Sequence, residues 1–255
     1  MDLVDTHCHL QFTDLKKRLG EIVNKAQAAH VTKMICVGTN LSDSVEAIEI
    51  AKNYGNVWAS AGTHPHDAKD YLLDNDAEEK LRNLLKQPRV VAVGEIGLDY
   101  YRNISPKVDQ QKALEKQIEI GLQTGLPFIF HVRDAWEDFW PIFDSYHIEK
   151  AVIHSFSTSS EHLEEVLSRG SYISLNGIMT FTKDEIQLEA AKKIPLDRLL
   201  LETDAPFLAP LPYRGKTCEP KHLQVTAEFL AELRGETLEQ LASETTKNAQ
   251  GLFGI

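Results

Sequence analysis

Cysteine is scarce in this chain. Its three residues, Cys8, Cys36 and Cys218, lie far apart and show no Cys-x-x-Cys spacing. Neither a disulfide framework nor a zinc knuckle is indicated, so a reducing cytoplasm is the expected setting. Long apolar runs are also missing. None approaches the roughly 20 residues that a membrane-spanning helix needs. The opening MDLVDTHC has no basic segment followed by an apolar core, so no secretory signal is expected. An excess of positive charge is lacking too: the formal net charge is −11. That argues against tight, sequence-independent binding along duplex nucleic acid, which needs a basic footprint. A site that engages one or two phosphates locally is still allowed. Much of the acid lies in helical stretches such as DNDAEEKL and GETLEQLASE, where a solvated face is the simplest reading. Low-complexity linkers, internal repeats and strand-to-strand hairpin signals are absent as well.

What is present is a steady alternation. Short β-branched and apolar runs predict strands at 3–7, 33–38, 57–62, 89–96, 127–131, 150–155, 172–176 and 198–203. Helical patterns separate them, and two more, HLQVTAEFLAELRG and LEQLASETTKNAQGLF, close the chain. Eight strands alternating with helices imply a parallel sheet. A strand-to-strand spacing of about 28 residues over 255 residues suits one (β/α)8 TIM-type barrel, a single domain over 1–255 with extra C-terminal helices. An open doubly wound sheet is the alternative, and it predicts a glycine-rich phosphate loop after the first strand. HCHLQF is not such a loop. The segment APFLAPLPYRGKTCEP holds four of the ten prolines and reads as a long, stiffened loop after the last strand.

Candidate chemistry collects at the strand ends. His7 and His9 are one residue apart, so in a strand they face the same way and Cys8 faces oppositely. The third strand runs into His64, the fourth into Glu95, the fifth into His131, the sixth into His154 and the eighth into Asp204. A barrel directs all these ends to one mouth, where active sites of this architecture form. His30, His147, His162 and His222 instead fall on helices or loops. His7, His9, Glu95, His131, His154 and Asp204 exceed the three protein ligands of one catalytic zinc. A carboxylate at Glu95 that bridges two ions divides the set between them, with Asp204 and Glu95 as the catalytic carboxylates. Two divalent ions a few ångströms apart suit phosphoryl-ester hydrolysis. Mixed imidazole and carboxylate ligands favour Zn, Mn, Fe or Co, and Mg less well.

The motifs VDTHCHL, GEIGLDYY, FHVRDA, IHSFS, ETDAPFLAP and YRGK..EP resemble those of the TatD family of metal-dependent deoxyribonucleases, in order and spacing from about residue 3 to residue 253. Carried over position by position, the resemblance places the family's metal ligands on the same six residues. It implies a metal-dependent nuclease that trims DNA, often from the 3′ end. It also implies D-aminoacyl-tRNA deacylation as an alternative, and a small phosphodiester is a third kind of substrate. The chain departs from the family pattern at Thr63, Thr158 and Cys218, none of them an expected ligand.

Related barrels fit less well. Urease- and phosphotriesterase-like enzymes bridge their metals with a carbamylated lysine after the fourth strand, and no lysine lies between Arg89 and Tyr101. Phosphoesterases that close on an Asp-x-His pair are disfavoured, because Asp204 precedes Ala205 and Pro206. A non-catalytic metal-binding module would be favoured by a missing ligand, and none is missing. His64, Arg133, Arg214 and Lys216 are candidate substrate contacts, Arg being suited to bidentate phosphate binding. Tyr100 and Tyr101 can stack a base. Asp5 is placed to orient a metal-bound imidazole. The expected partners are nucleic-acid ends or single-stranded DNA, with aminoacyl-tRNA as the alternative; no membrane is expected, and a monomer is.

Overall fold

The computed structural model describes every residue from Met1 to Ile255. Eight strands form in chain order: β1 (Leu3–Cys8), β2 (Val31–Val37), β3 (Val57–Ala61), β4 (Val90–Asp99), β5 (Phe128–Arg133), β6 (Ala151–Ile153), β7 (Tyr172–Leu175) and β8 (Leu199–Leu201). Each overlaps its predicted range. They belong to one eight-stranded sheet in the order β1 to β8. The first and last strands meet through a parallel bridge between Cys8 and Ala205, flanked by His9 N–H to Ala205 O at 2.7 Å and Asp204 N–H to His7 O at 2.8 Å. The fold is therefore the TIM-type (β/α)8 barrel, not the open sheet.

The helices are α1 (Thr13–Lys16), α2 (Leu19–Ala28), α3 (Leu41–Asn53), α4 (Ala68–Leu73), α5 (Ala77–Leu84), α6 (Lys107–Leu122), α7 (Trp136–Asp144), α8 (Ser160–Ser168), α9 (Glu185–Lys193), α10 (Leu223–Arg234) and α11 (Leu238–Phe253). No helix is long and apolar enough to cross a membrane. The continuous pattern DLKKRLGEIVNKAQAA divides into α1 and α2 at Lys17 and Arg18, where Arg18 leaves helical geometry at φ −125°, ψ 26°.

Contacts divide the chain into two compact units, Met1–Cys36 with Ser155–Ile255, and Val37–His154. In the first, β1 pairs with β2 in register Leu3 to Val31 and Cys8 to Cys36, and β7 pairs with β8 in register Leu175 to Leu201. Every residue of β1 is buried, as expected for a parallel strand covered on both faces. Here α10 ends on Gly235, whose φ of 70° suits the left-handed cap, and α11 starts on a reciprocal Thr237–Gln240 capping box. The Asn248 amide of α11 donates to Leu196 O and Leu199 O, fixing that helix beside β8.

In the second unit, β3 to β6 run side by side. β4 pairs with β5 in register Val93 to Phe128, Gly97 to His131 and Asp99 to Arg133. All ten residues of β4 are buried. Phe130 extends this core to Phe139 and Phe143 of α7, with ring centroids 5.2 and 5.7 Å away. These pairings carry the polar residues that follow each apolar run to the same ends of the strands.

Candidate metal centre

One half-site lies in the first unit. His7 is the penultimate residue of β1, and His9 follows that strand. Their rings meet edge to face, 5.0 Å apart at 79°. His9 Nε2 is 3.3 Å, and His7 Nε2 3.8 Å, from Asp204 Oδ1. Two imidazoles and a carboxylate thus face one small volume, and Asp204 retains some exposure. Cys8, between the two histidines, is wholly buried and directs its thiol to Ile35 O, so it belongs to the core as expected.

Asp5 does not orient an imidazole. Its carboxylate accepts from Thr203 N–H at 2.9 Å, Thr203 Oγ1 at 2.6 Å and His7 N–H at 3.3 Å. It straps β1 to the chain leaving β8 and sets the spacing between His7 and Asp204. Burial pushes its pKa up to about 7, although the Thr203 bonds oppose the shift. Glu202 was not among the sequence candidates. It is fully buried and accepts from Ser155 N–H at 2.8 Å and the Asn176 amide at 3.0 Å. Its adjacency to Asp204 in ETDAP is the only hint that the sequence offers.

The other half-site lies in the second unit and centres on Glu95 in β4. Its Oε1 is 2.8 Å from His131 Nδ1, 2.9 Å from His154 Nε2 and 3.4 Å from His64 Nε2. His131 Nδ1 and His154 Nε2 are themselves 3.0 Å apart. His64, a sequence candidate for substrate contact, sits in this cluster: its ring is 4.5 Å from that of His131. Burial holds His64 well below the ordinary histidine pKa, so it is neutral and able to ligate at physiological pH.

Two residues behind this cluster complete it. Asp99 Oδ2 lies 3.5 Å from His131 Nε2 and 2.8 Å from His66 Nε2. Burial acts to raise the Asp99 pKa, but hydrogen bonds from His131, His66 and Arg102 N–H outweigh it and hold the carboxyl far below its usual range. Asp99 thus faces the His131 ring from the side opposite Glu95 while its carboxylate is hydrogen-bonded to His66. Gly97 makes the arrangement possible: a Cβ there would lie 1.9 Å from His131 O, and its φ is 149°.

The basic candidates lie on loops. Arg133 stacks on the exposed Tyr101 ring at 4.0 Å, and Arg214 on Phe181 at 3.7 Å. Both stackings hold a guanidinium plane in place while leaving its edge available. Lys216 is exposed beside Arg214. Tyr100 is held through its hydroxyl by Asp138 and Gln111, and Lys107 Nζ lies 4.1 Å from its ring centroid.

The donor chemistry fits a divalent cation. Three imidazole nitrogens converging on one carboxylate oxygen form a ready ligand set, and ligand atoms of His64, Glu95 and His131 all lie within 4.8 Å of one another. Two imidazole nitrogens 3.0 Å apart, as in His131 and His154, also suit a shared cation.

Comparisons with known proteins agree with this chemistry. The family model described as TatD related DNase matches residues 4–254. The chain is 38% identical to the uncharacterized metal-dependent hydrolase YabD of Bacillus subtilis, over 99% of each chain. It is 35% identical to the 3′-5′ ssDNA/RNA exonuclease TatD of Citrobacter koseri, again over 99% of each. Among solved structures, the TatD homologue YjjV of Escherichia coli superimposes with a TM-score of 0.94 at 28% identity, covering 99% of this chain and 98% of the other. The chain belongs to the TatD-related DNase family and is a metal-dependent hydrolase.

Proposed function

We propose that this enzyme hydrolyses phosphodiester bonds at the 3′ ends of single-stranded DNA, using two divalent ions, one on each half-site. The convergence of His64, His131 and His154 on Glu95 Oε1 carries the reading, because such a donor set has little use without a cation. The ligands assigned are His7, His9 and Asp204 in the first unit, and Glu95, His131 and His154 in the second. When bound, such ions acidify water and neutralise the charge that accumulates on a phosphoryl group. The name of the Citrobacter koseri relative supports a single-stranded nucleic-acid substrate and 3′ polarity.

The protein's own residues supply the remaining steps. Asp204 Oδ1 faces both His7 and His9, and its partial exposure lets it take the proton of the attacking water as the new P–O bond forms. That proton then goes to the departing ester oxygen. Asp5 and Thr203 keep Asp204 in line with β1. Arg133 and Arg214 hold flanking phosphates through their free guanidinium edges, and Lys216 adds a point charge.

Metal analysis of the purified protein, with 5′-labelled single-stranded DNA, nicked duplex and D-aminoacyl-tRNA assayed side by side, tests the proposal. The expected result is about two ions per chain and stepwise loss of nucleotides from the 3′ end of the single strand. Deacylation of the tRNA without cleavage of DNA would replace this reading with that of a carboxylic-ester hydrolase.

A further inference from the structure

The loop after β8 carries an aromatic side chain that the chemistry above leaves unused. Phe207 is 51% exposed. It is held close to Asp204 by a tight turn in which Phe207 N–H donates to Asp204 O at 2.8 Å. Behind it, Phe12 stacks on His9, with centroids 4.8 Å apart and planes at 14°. Phe207 stands steeply inclined to both: its centroid is 6.0 Å from Phe12 at 78° and 6.3 Å from His9 at 65°. The two rings therefore brace Phe207 on one side while about half of its surface stays exposed.

We propose that Phe207, braced by Phe12 and His9, is the platform on which the terminal unpaired nucleobase stacks, setting the position of the adjoining phosphodiester against Asp204. This rests on the nuclease reading and extends it to substrate selection. Three observations select a base as the occupant. Phe207 offers a single half-exposed ring, a surface of the size of a base and far smaller than a protein interface. The ring that braces it belongs to His9, whose Nε2 is 3.3 Å from Asp204 Oδ1, so a group on the platform adjoins the catalytic carboxylate. Phe207 also has no charge, hydroxyl or amide with which to read a base edge. Stacking of this kind accepts every base and requires that the base be unpaired. The platform therefore selects for single strands and frayed ends without selecting sequence.

The test separates stacking from chemistry. Single-stranded oligonucleotides carrying either a normal or an abasic 3′-terminal nucleotide are cleaved by the metal-loaded wild type, Phe207→Ala and Phe207→Trp. Phe207→Ala should raise KM for the normal substrate about tenfold, in line with the cost of deleting a stacking ring. Phe207→Trp should restore it, and the loss should appear in KM, not in kcat. The abasic end should raise KM for wild type by a similar factor and add little in Phe207→Ala, because both changes remove one contact. Independent losses that multiply would overturn the proposal. A second readout needs no turnover: an oligonucleotide ending in 2-aminopurine, mixed with Asp204→Asn protein, should lose fluorescence on binding, and the Phe207→Ala/Asp204→Asn double variant should not quench it. Absence of quenching by the Asp204→Asn protein likewise overturns the platform. Quenching by that protein, combined with a metal-loaded wild type that cleaves no DNA, would uphold the platform and refute the nuclease reading instead.

Discussion

Asp204 sits at φ 59°, a left-handed backbone conformation that disfavours most side chains by roughly 1–2 kcal/mol but that Asp and Asn tolerate. This sets up a clean substitution. Asp204→Asn keeps the size and the backbone preference and removes the negative charge that serves both as proton acceptor and as ligand of the ion on the His7–His9 half-site. Turnover should fall by roughly 10²–10⁴-fold, the usual contribution of a general base. Thermal stability should stay within a few degrees, and the ion on the Glu95 half-site should stay bound. Steady-state rates, a melt and metal analysis of one preparation decide this, and near-normal turnover with full metal content would remove Asp204 from the proton path. The six ligand candidates were legible as a group because each lies at or just past the C-terminal end of a predicted strand. The roles of Asp5, Asp99, His66 and Glu202 were not. An acid in a strand looks the same in sequence whether it faces an imidazole or the threonine of a neighbouring strand, and only the register of β1 against β8, or of β4 against β5, tells the two apart. Glu202 is the sharpest case: it is quoted in the motif itself, yet its partners Ser155 and Asn176 lie 47 and 26 residues away.

At the scale of elements, β4 is the one whose local chemistry is most constrained. Gly97→Ala places a methyl group where His131 O already lies and asks an L-residue to adopt φ 149°. A loss of roughly 1–3 kcal/mol is expected from overpacking alone. Metal affinity should fall with it as β5 is displaced from Glu95. Chemical denaturation and metal titration of the variant give both numbers, and an unchanged midpoint would mean that the strands can separate at Gly97 without cost. A second element-scale prediction concerns the turn that leads into α10. His222 is buried, accepts Glu219 N–H at 3.1 Å through Nδ1 and stacks on Tyr213 at 4.2 Å. Burial lowers its pKa to about 4 from an ordinary 6.5. The unfolded chain therefore binds a proton between these values that the folded chain does not. This contribution to stability is complete above about pH 6.5 and is lost as pH falls toward 4. Melting temperatures measured from pH 7.5 to 5 should drop, and His222→Gln, which keeps an acceptor but cannot be charged, should flatten that part of the profile. An equal acid loss in the variant would assign the effect to other groups. Strand positions were evident from sequence, since β-branched runs bounded by turn residues have few other readings. The short α4, by contrast, is six residues and has no caps that a pattern could reveal, and its position depends on the loop it follows.

Across the whole molecule, the charge of −11 limits how a polyanion can be held. With Arg133, Arg214 and Lys216 as the proposed contacts, one to three phosphates lose counterions. The logarithm of affinity for single-stranded DNA should then fall with the logarithm of salt with a slope of about −0.7 to −2. Binding isotherms of a metal-loaded, inactive variant across a salt series measure it, and a slope near −6 would reveal an extended basic track. The remaining feature of consequence is the path of the chain. The first unit takes residues from both termini, Met1–Cys36 and Ser155–Ile255, while the second is continuous from Val37 to His154. His7 and His9 emerge early in synthesis, but their strap, Asp5 to Thr203, spans 198 residues, so this half-site waits for nearly the whole polypeptide. Re-drawing the order of synthesis removes that wait. The Thr246 hydroxyl of α11 already donates to Asp2 O, which places the two termini on one side of the unit. A circular permutant that starts at Thr158, joins Ile255 to Met1 through a short flexible linker and ends at Ser157 would translate β7, β8 and β1 in succession. It should fold to the same metal content and, during translation, become protease-resistant earlier in the first unit than the natural order allows; equal timing of resistance in the two would show that chain order does not govern assembly. For such a protein, the sequence in which residues leave the ribosome is a variable that can be rewritten without altering a single contact of the finished fold.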